Sequence, residues 1–151
     1  MKKTTAIFLL FIPFSGYSQI YDCPLDEGKI IISDKKENYG VNELGTTIIS
    51  TENGRVKSFV SGRVVTILKD ESSDSYMVII DNDKNYISFN GLKTVNIKKD
   101  DMIKVGEKIG KIKSKDKKYH LVVMNFIDNH LVTKPFENSL KCRKQYQFRN
   151  Y

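Results

Sequence analysis

The stretch V-K-S-F-V-S-G-R-V-V-T-I-L, Val56 to Leu68, decides the fold class. Val56, Ser58 and Val60 alternate with Lys57 and Phe59, Ser61-Gly62 bends the chain, and Val64 to Leu68 leaves as a second apolar run. Period-two alternation marks a strand that buries one face. Downstream, Tyr76 to Ile80 reads as a central strand, Asp81 to Asn85 as a turn, and Tyr86 to Phe89 as the returning strand. Leu92, Val95 and Ile97 lead to the charged turn Lys98 to Asp101. Val105-Gly106-Glu107 is a further bend, and Lys108 to Lys111 a short strand. After the Lys/Asp-rich loop Ser114 to Lys118 comes the last strong strand, His120 to Phe126, which Asp128-Asn129 turns. Upstream, Ile30 to Ile32 and Thr46 to Ser50 are strand candidates, and Asn53-Gly54 favours a hairpin bend. No segment carries helical periodicity. Short strands between Gly and Asx turns predict an all-β domain, a small sandwich or barrel.

The ends bound the domain. Residues 1–18 read as a signal peptide: Lys2 and Lys3 form a basic start, Ala6 to Phe14 an apolar run, and Gly16-Tyr17-Ser18 a cleavage site. The run is shorter than the roughly 20 residues of a membrane span, so an exported, periplasmic or extracellular protein is expected, with no membrane span after cleavage. Residues 19–37 form a lead-in, 38–140 the β-core, and 141–151 a basic, frayed tail. The chain carries 25 Lys+Arg against 18 Asp+Glu. These charges are spread through turns without interleaved aromatics, which argues for a solubilising surface and against nucleic-acid binding. Cys23 and Cys142 form a disulfide across nearly the whole domain or remain two thiols; neither has a second ligand at metal-site spacing.

The ordered landmarks resemble the LytM/lysostaphin-type peptidoglycan metallopeptidases. Val60 to Val64 (V-S-G-R-V) is similar to that family's A-x-x-G-x-V turn. Val78 to Asp81 with Tyr86 to Leu92 is similar to V-x-I-D-H followed by Y-x-x-L. Val95 to Gly110 is similar to V-x-x-G-D-x-V-x-x-G-x-x-I-G, with Asp100 at the first Gly. His120-Leu121-Val122 stands where the family has H-L-H, and Thr133-Lys134-Pro135 to Leu140 resembles its N-P-x-x-Y-L close. The resemblance implies a small barrel-sandwich hybrid, the duplicated hybrid motif with a LytM-like sheet.

The family's members hold one zinc with the His and Asp of H-x-G-x-D and the second His of H-x-H. An open position then lowers the pKa of a bound water to near 7. Here the first motif aligns with Asn38-Tyr39-Gly40-Val41-Asn42, the second His with Val122, and a catalytic His with Gly91. His120 alone remains, a relic at a proton-handling place, and His130 reads as a turn residue. The expectation is therefore a degenerate member without zinc or any other cofactor. By resemblance its partner is peptidoglycan or a peptidoglycan amidase. Two further readings stay open: a zinc metalloendopeptidase using His120 with other ligands, and a non-lipoylated biotinyl/lipoyl-like adaptor. Asp81, Asp83, Asp100 and Asp101 lack calcium-loop spacing, and neither Ser61 nor Ser88 has an adjacent base.

Overall fold

The computed structural model describes residues 19–33, 44–83, 85–132 and 135–147. Residues 1–18, read above as a signal peptide, and Asn38, Asn42 and Thr133-Lys134 lie outside the described residues. Eleven strands follow in chain order: β1 (Lys29–Ser33), β2 (Thr46–Ser50), β3 (Arg55–Lys57), β4 (Gly62–Asp70), β5 (Ser75–Asp81) and β6 (Tyr86–Val95). The remainder are β7 (Met102–Ile103), β8 (Lys108–Ile112), β9 (Tyr119–Ile127), β10 (His130–Val132) and β11 (Arg143–Gln147). No helix occurs among the described residues, so the all-β expectation holds.

The strands run β11-β1-β2-β9-β6-β5-β4-β7, with β10 on β9 and β3 on β8. All pairs are antiparallel except β1 with β11, which makes the sheet mixed. β6 is shared: Tyr86 to Asn90 pairs with β9, whereas Leu92 to Val95 pairs with β8. Val78, Ile80, Ile87, Phe89, Leu92, Leu121 and Val123 are fully buried and form the centre of the core. Their alternate neighbours are half-buried or sit on the opposite face, as period-two strands require.

Three local readings change. Asn53-Gly54 does not close a hairpin, because β2 pairs with β1 and β9 while β3 pairs with β8. Asn53 instead accepts from Arg55 N (2.9 Å) and donates to Asp26 (3.0 Å), handing the chain between regions of the sheet. The alternation expected from Val56 to Val60 stops at Lys57. Ser58, Phe59 and Val60 are all buried in a bend whose Ser58 hydroxyl donates to Val60 O at 2.6 Å. His130 opens β10 directly after the turn, opposite Ile127. Asp128 and Asn129 both have positive φ (49° and 64°), the mirror-image turn that suits strand twist.

The segments outside the β-core are built into the sheet. The lead-in supplies β1. The tail is not frayed over Arg143–Gln147, which forms β11 in parallel register with β1. Two contacts fix this arrangement. Cys23 and Cys142 are disulfide-bonded across 119 residues. Tyr21 and Phe136 pack with Phe59 at centroid distances of 5.3 and 5.0 Å, and Phe59 packs on Phe89 of β6 at 5.3 Å. The ion pairs are solvent-exposed and each contributes about 0–1 kcal/mol.

Replacing both Cys23 and Cys142 by Ala is expected to lower stability by about 2–5 kcal/mol, read from the urea midpoint. Gly110 faces Thr94 O and Leu92 Cδ2 so closely that a Cβ would overlap both. Gly110→Ala is expected to cost about 1–3 kcal/mol by the same measurement.

Candidate functional site

The site implied by the resemblance falls where β6, β9 and β2 lie side by side. Cross-strand partners share a face, so the registers define rows. One row contains Thr47, Val122, Asn90 and Met77 from β2, β9, β6 and β5. The adjacent row contains Met124, Ser88 and Ile79. Neither row includes a titratable side chain. Asn90 Nδ2 donates both to Ser88 Oγ and to Val122 O, each at 3.0 Å, so its amide is committed to the sheet. Ser88 is fully buried, which removes it as a nucleophile open to solvent.

His120 is the next outward-facing residue along β9 from Val122, opposite Ile49. Its imidazole is half-buried and makes no hydrogen bond to a described residue. Burial, followed by repulsion from Lys118 and Lys115, lowers its pKa from 6.5, with Asp116 opposing weakly. At neutral pH it is therefore an uncharged ring with one donor and one acceptor nitrogen.

Gly91 lies at the point where β6 changes partner, with φ +96°. A Cβ there would stand 3.1 Å from His120 O, and the backbone conformation itself strains an L residue. Gly91 and His120 meet at a cleft of about 780 Å³ between the Ser73–Ser75 turn and the hairpin that leads into β9.

Of the residues singled out in the sequence, the structure thus brings together Gly91 and His120, with Val122 two residues further along the same face. Asn38 and Asn42 lie outside the described residues. His130 lies beyond the far end of β9. The seven steps from His120 to Ile127 span roughly 23 Å at strand rise, so the two histidines belong to different ends of β9. Among the described residues no three His, Cys, Asp or Glu side chains converge as metal ligands. Val122 offers only methyl groups, so the described donor set does not fit a zinc ion.

Two features were not legible beforehand. The Asn90–Ser88–Val122 network depends on which strand lies beside β6. Lys115 and Lys118 beside His120 were visible only as part of the charged loop Ser114 to Lys118.

Residues 41–133 match the model of peptidase family M23, and the chain belongs to that family. No curated protein matches it significantly. Among solved structures it is similar to lysostaphin in solution, with TM-score 0.54 and 19% identity, covering 66% of this chain and 46% of that one. A zinc-containing peptidase from Vibrio cholerae superposes with TM-score 0.56 and 19% identity over 77% of this chain and 39% of its own. The SpoIIQ–SpoIIIAH pore-forming complex gives TM-score 0.59 and 16% identity, covering 82% and 92%. These likenesses show the fold. The chain spans less than half the length of lysostaphin and of the Vibrio peptidase.

Because the folded pKa of His120 is depressed, the unfolded chain binds its proton first. This histidine's contribution to stability is therefore present above pH 6.5 and is lost as pH falls through the folded value. An NMR titration should place the His120 midpoint below 6.5. Lys115→Gln/Lys118→Gln should move it upward, toward but not up to 6.5, since burial remains.

Proposed function

We propose that this chain is a non-hydrolytic M23 module that works in the cell envelope, where it binds peptidoglycan through the face carrying Gly91, His120 and Val122. The observation that carries this reading is Val122. It occupies the position that the resemblance assigns to a zinc ligand, in a row of side chains that holds no His, Cys, Asp or Glu. Zinc hydrolysis in this family needs that histidine, because three protein ligands are what leave one ordered, acidified water. A methyl-bearing side chain supplies neither a ligand nor a proton path.

Family membership supports peptidoglycan as the polymer contacted. The Cys23–Cys142 disulfide supports an oxidising compartment, periplasmic or extracellular, since such bonds persist there and are rare in the cytosol. No helix among the described residues is long and apolar enough to cross a membrane.

A second reading, in which the module engages a protein such as a peptidoglycan amidase, draws on the SpoIIQ–SpoIIIAH complex, where a chain of similar fold is part of a two-protein assembly. One experiment separates both readings from a zinc endopeptidase and from a lipoyl-like adaptor.

Protein purified without chelator should carry sub-stoichiometric zinc, cosediment with isolated sacculi, and release no peptide from them even with added zinc. Stoichiometric zinc together with peptide release would establish the endopeptidase instead. Failure to sediment, with capture of a purified amidase, would establish the second reading, and failure of both would leave the adaptor.

A further inference from the structure

The cleft beside His120 has an uncompensated positive charge. Four lysines line it (Lys93, Lys113, Lys115 and Lys118) against two acids, Asp74 and Asp116. Asp74 is already engaged: Lys93 donates to it, and Lys69 lies 3.9 Å away. The Lys93 contact, with Lys113 contributing more weakly, holds the Asp74 carboxyl below its ordinary range. Lys113, Lys115 and Lys118 form no ion pair with a described residue.

Solvated lysines scattered over a surface mean little. These are held on a defined hairpin. Lys115 and Lys118 exchange both backbone hydrogen bonds (2.8 and 3.0 Å) around Asp116 and Lys117, which both have positive φ. The charges consequently face one concavity, where low-dielectric walls focus their field. A second concavity of about 210 Å³ is also lined by Lys118 and adds Lys29 and one acid, Glu27; Glu27 is paired with Arg143 (3.1 Å), and Lys29 has no acid partner among the described residues. Lys118 lines both concavities, which places them side by side, the second lined by Ile49 and Ser50 of β2 and Lys29 of β1.

We propose that this groove is a binding site for a ligand with at least two acidic oxygen groups, carboxylate or phosphate. One group lies against Lys113, Lys115 and Lys118 beside the His120 ring, and another lies toward Lys29. The inference deepens the reading above, resting on it for the site and not for the loss of hydrolysis. Like charges brought to one cleft repel each other, and a bound anion removes that repulsion. The unpartnered imidazole adds a neutral hydrogen bond, and Gly91 leaves the approach free of a side chain. No aromatic ring besides His120 is among the residues lining either cavity, so the stacking platform used by single-stranded nucleic acid is missing.

The test is an NMR titration of the disulfide-bonded protein with pyrophosphate, and separately with a muramyl stem peptide in its free-acid and fully amidated forms. Saturable shifts of the His120 and Gly91 signals that weaken with added salt are expected. Lys113→Gln/Lys115→Gln/Lys118→Gln should bind about tenfold more weakly or worse. Lys98→Gln/Lys99→Gln/Lys104→Gln removes the same charge elsewhere and should retain affinity. A response to pyrophosphate alone assigns the site to phosphate. A response to the free-acid peptide but not the amidated one assigns it to carboxylate, and a response to both pyrophosphate and the free acid establishes the shared chemistry. No response to either, or equal weakening in both triple variants, overturns the proposal. Sacculi that still bind the Lys113/Lys115/Lys118 variant would uphold the envelope reading and remove this site; anion binding without sacculus binding would do the reverse.

Discussion

β6 hydrogen-bonds to β5 from Tyr86 to Leu92, to β9 through Tyr86 to Asn90, and to β8 through Leu92 to Val95, with the hand-over at Gly91. One strand edge cannot serve two partners at once, so the chain must turn between them. The positive φ of Gly91 supplies that turn, in a region of backbone space where a Cβ is costly. On the core side the change of partner brings Leu92, Ile109, Ile112 and Val56 together. On the other side it leaves a gap where a side chain would stand, and that gap opens into the cleft beside His120. Fold and site thus depend on the same peptide.

The second constraint is closure of the ends. β1 and β11 form an outer parallel pair, held by a disulfide and by the Tyr21–Phe59–Phe136 cluster. Parallel pairing of strands more than a hundred residues apart carries a large loop-closure entropy. The disulfide removes much of that cost from the unfolded chain, while the aromatic cluster ties the ends to Phe89 at the centre. Asp26 adds a polar tie: Lys57 and Asn53 donate to its carboxylate and Ser50 to its carbonyl. The Lys57 and Asn53 hydrogen bonds hold the Asp26 carboxyl below its ordinary range.

Within this frame the face next to Val122 has the chemistry of a sheet surface. Asn90 satisfies Val122 O and Ser88 Oγ, and the neighbouring rows are Met, Ile and Thr. Buried polar atoms in such a network contribute to stability only while paired. The charges nearest to this face come from the adjoining lysine hairpin.

The β-branched run Thr46–Ser50 and the apolar runs Tyr76–Ile80 and His120–Phe126 identified strands from the chain alone, because β-branched and apolar side chains fit a pleated, buried surface. The motif order around Val60, Asp81 and Gly110 pointed to the family for a similar reason, since turn residues answer to local backbone geometry. What failed was partner choice. Asn53-Gly54 looked like a hairpin, and the tail looked frayed, because nothing in either segment names the strand that will lie beside it. The same limit hid the Asn90 network and the gathering of Lys93, Lys113, Lys115 and Lys118 around the cleft beside His120. Residue identity by itself determined that this chain makes short strands separated by Gly and Asx turns. Only the tertiary structure decided which faces those strands share, because cross-strand register joins residues that the sequence keeps dozens of positions apart.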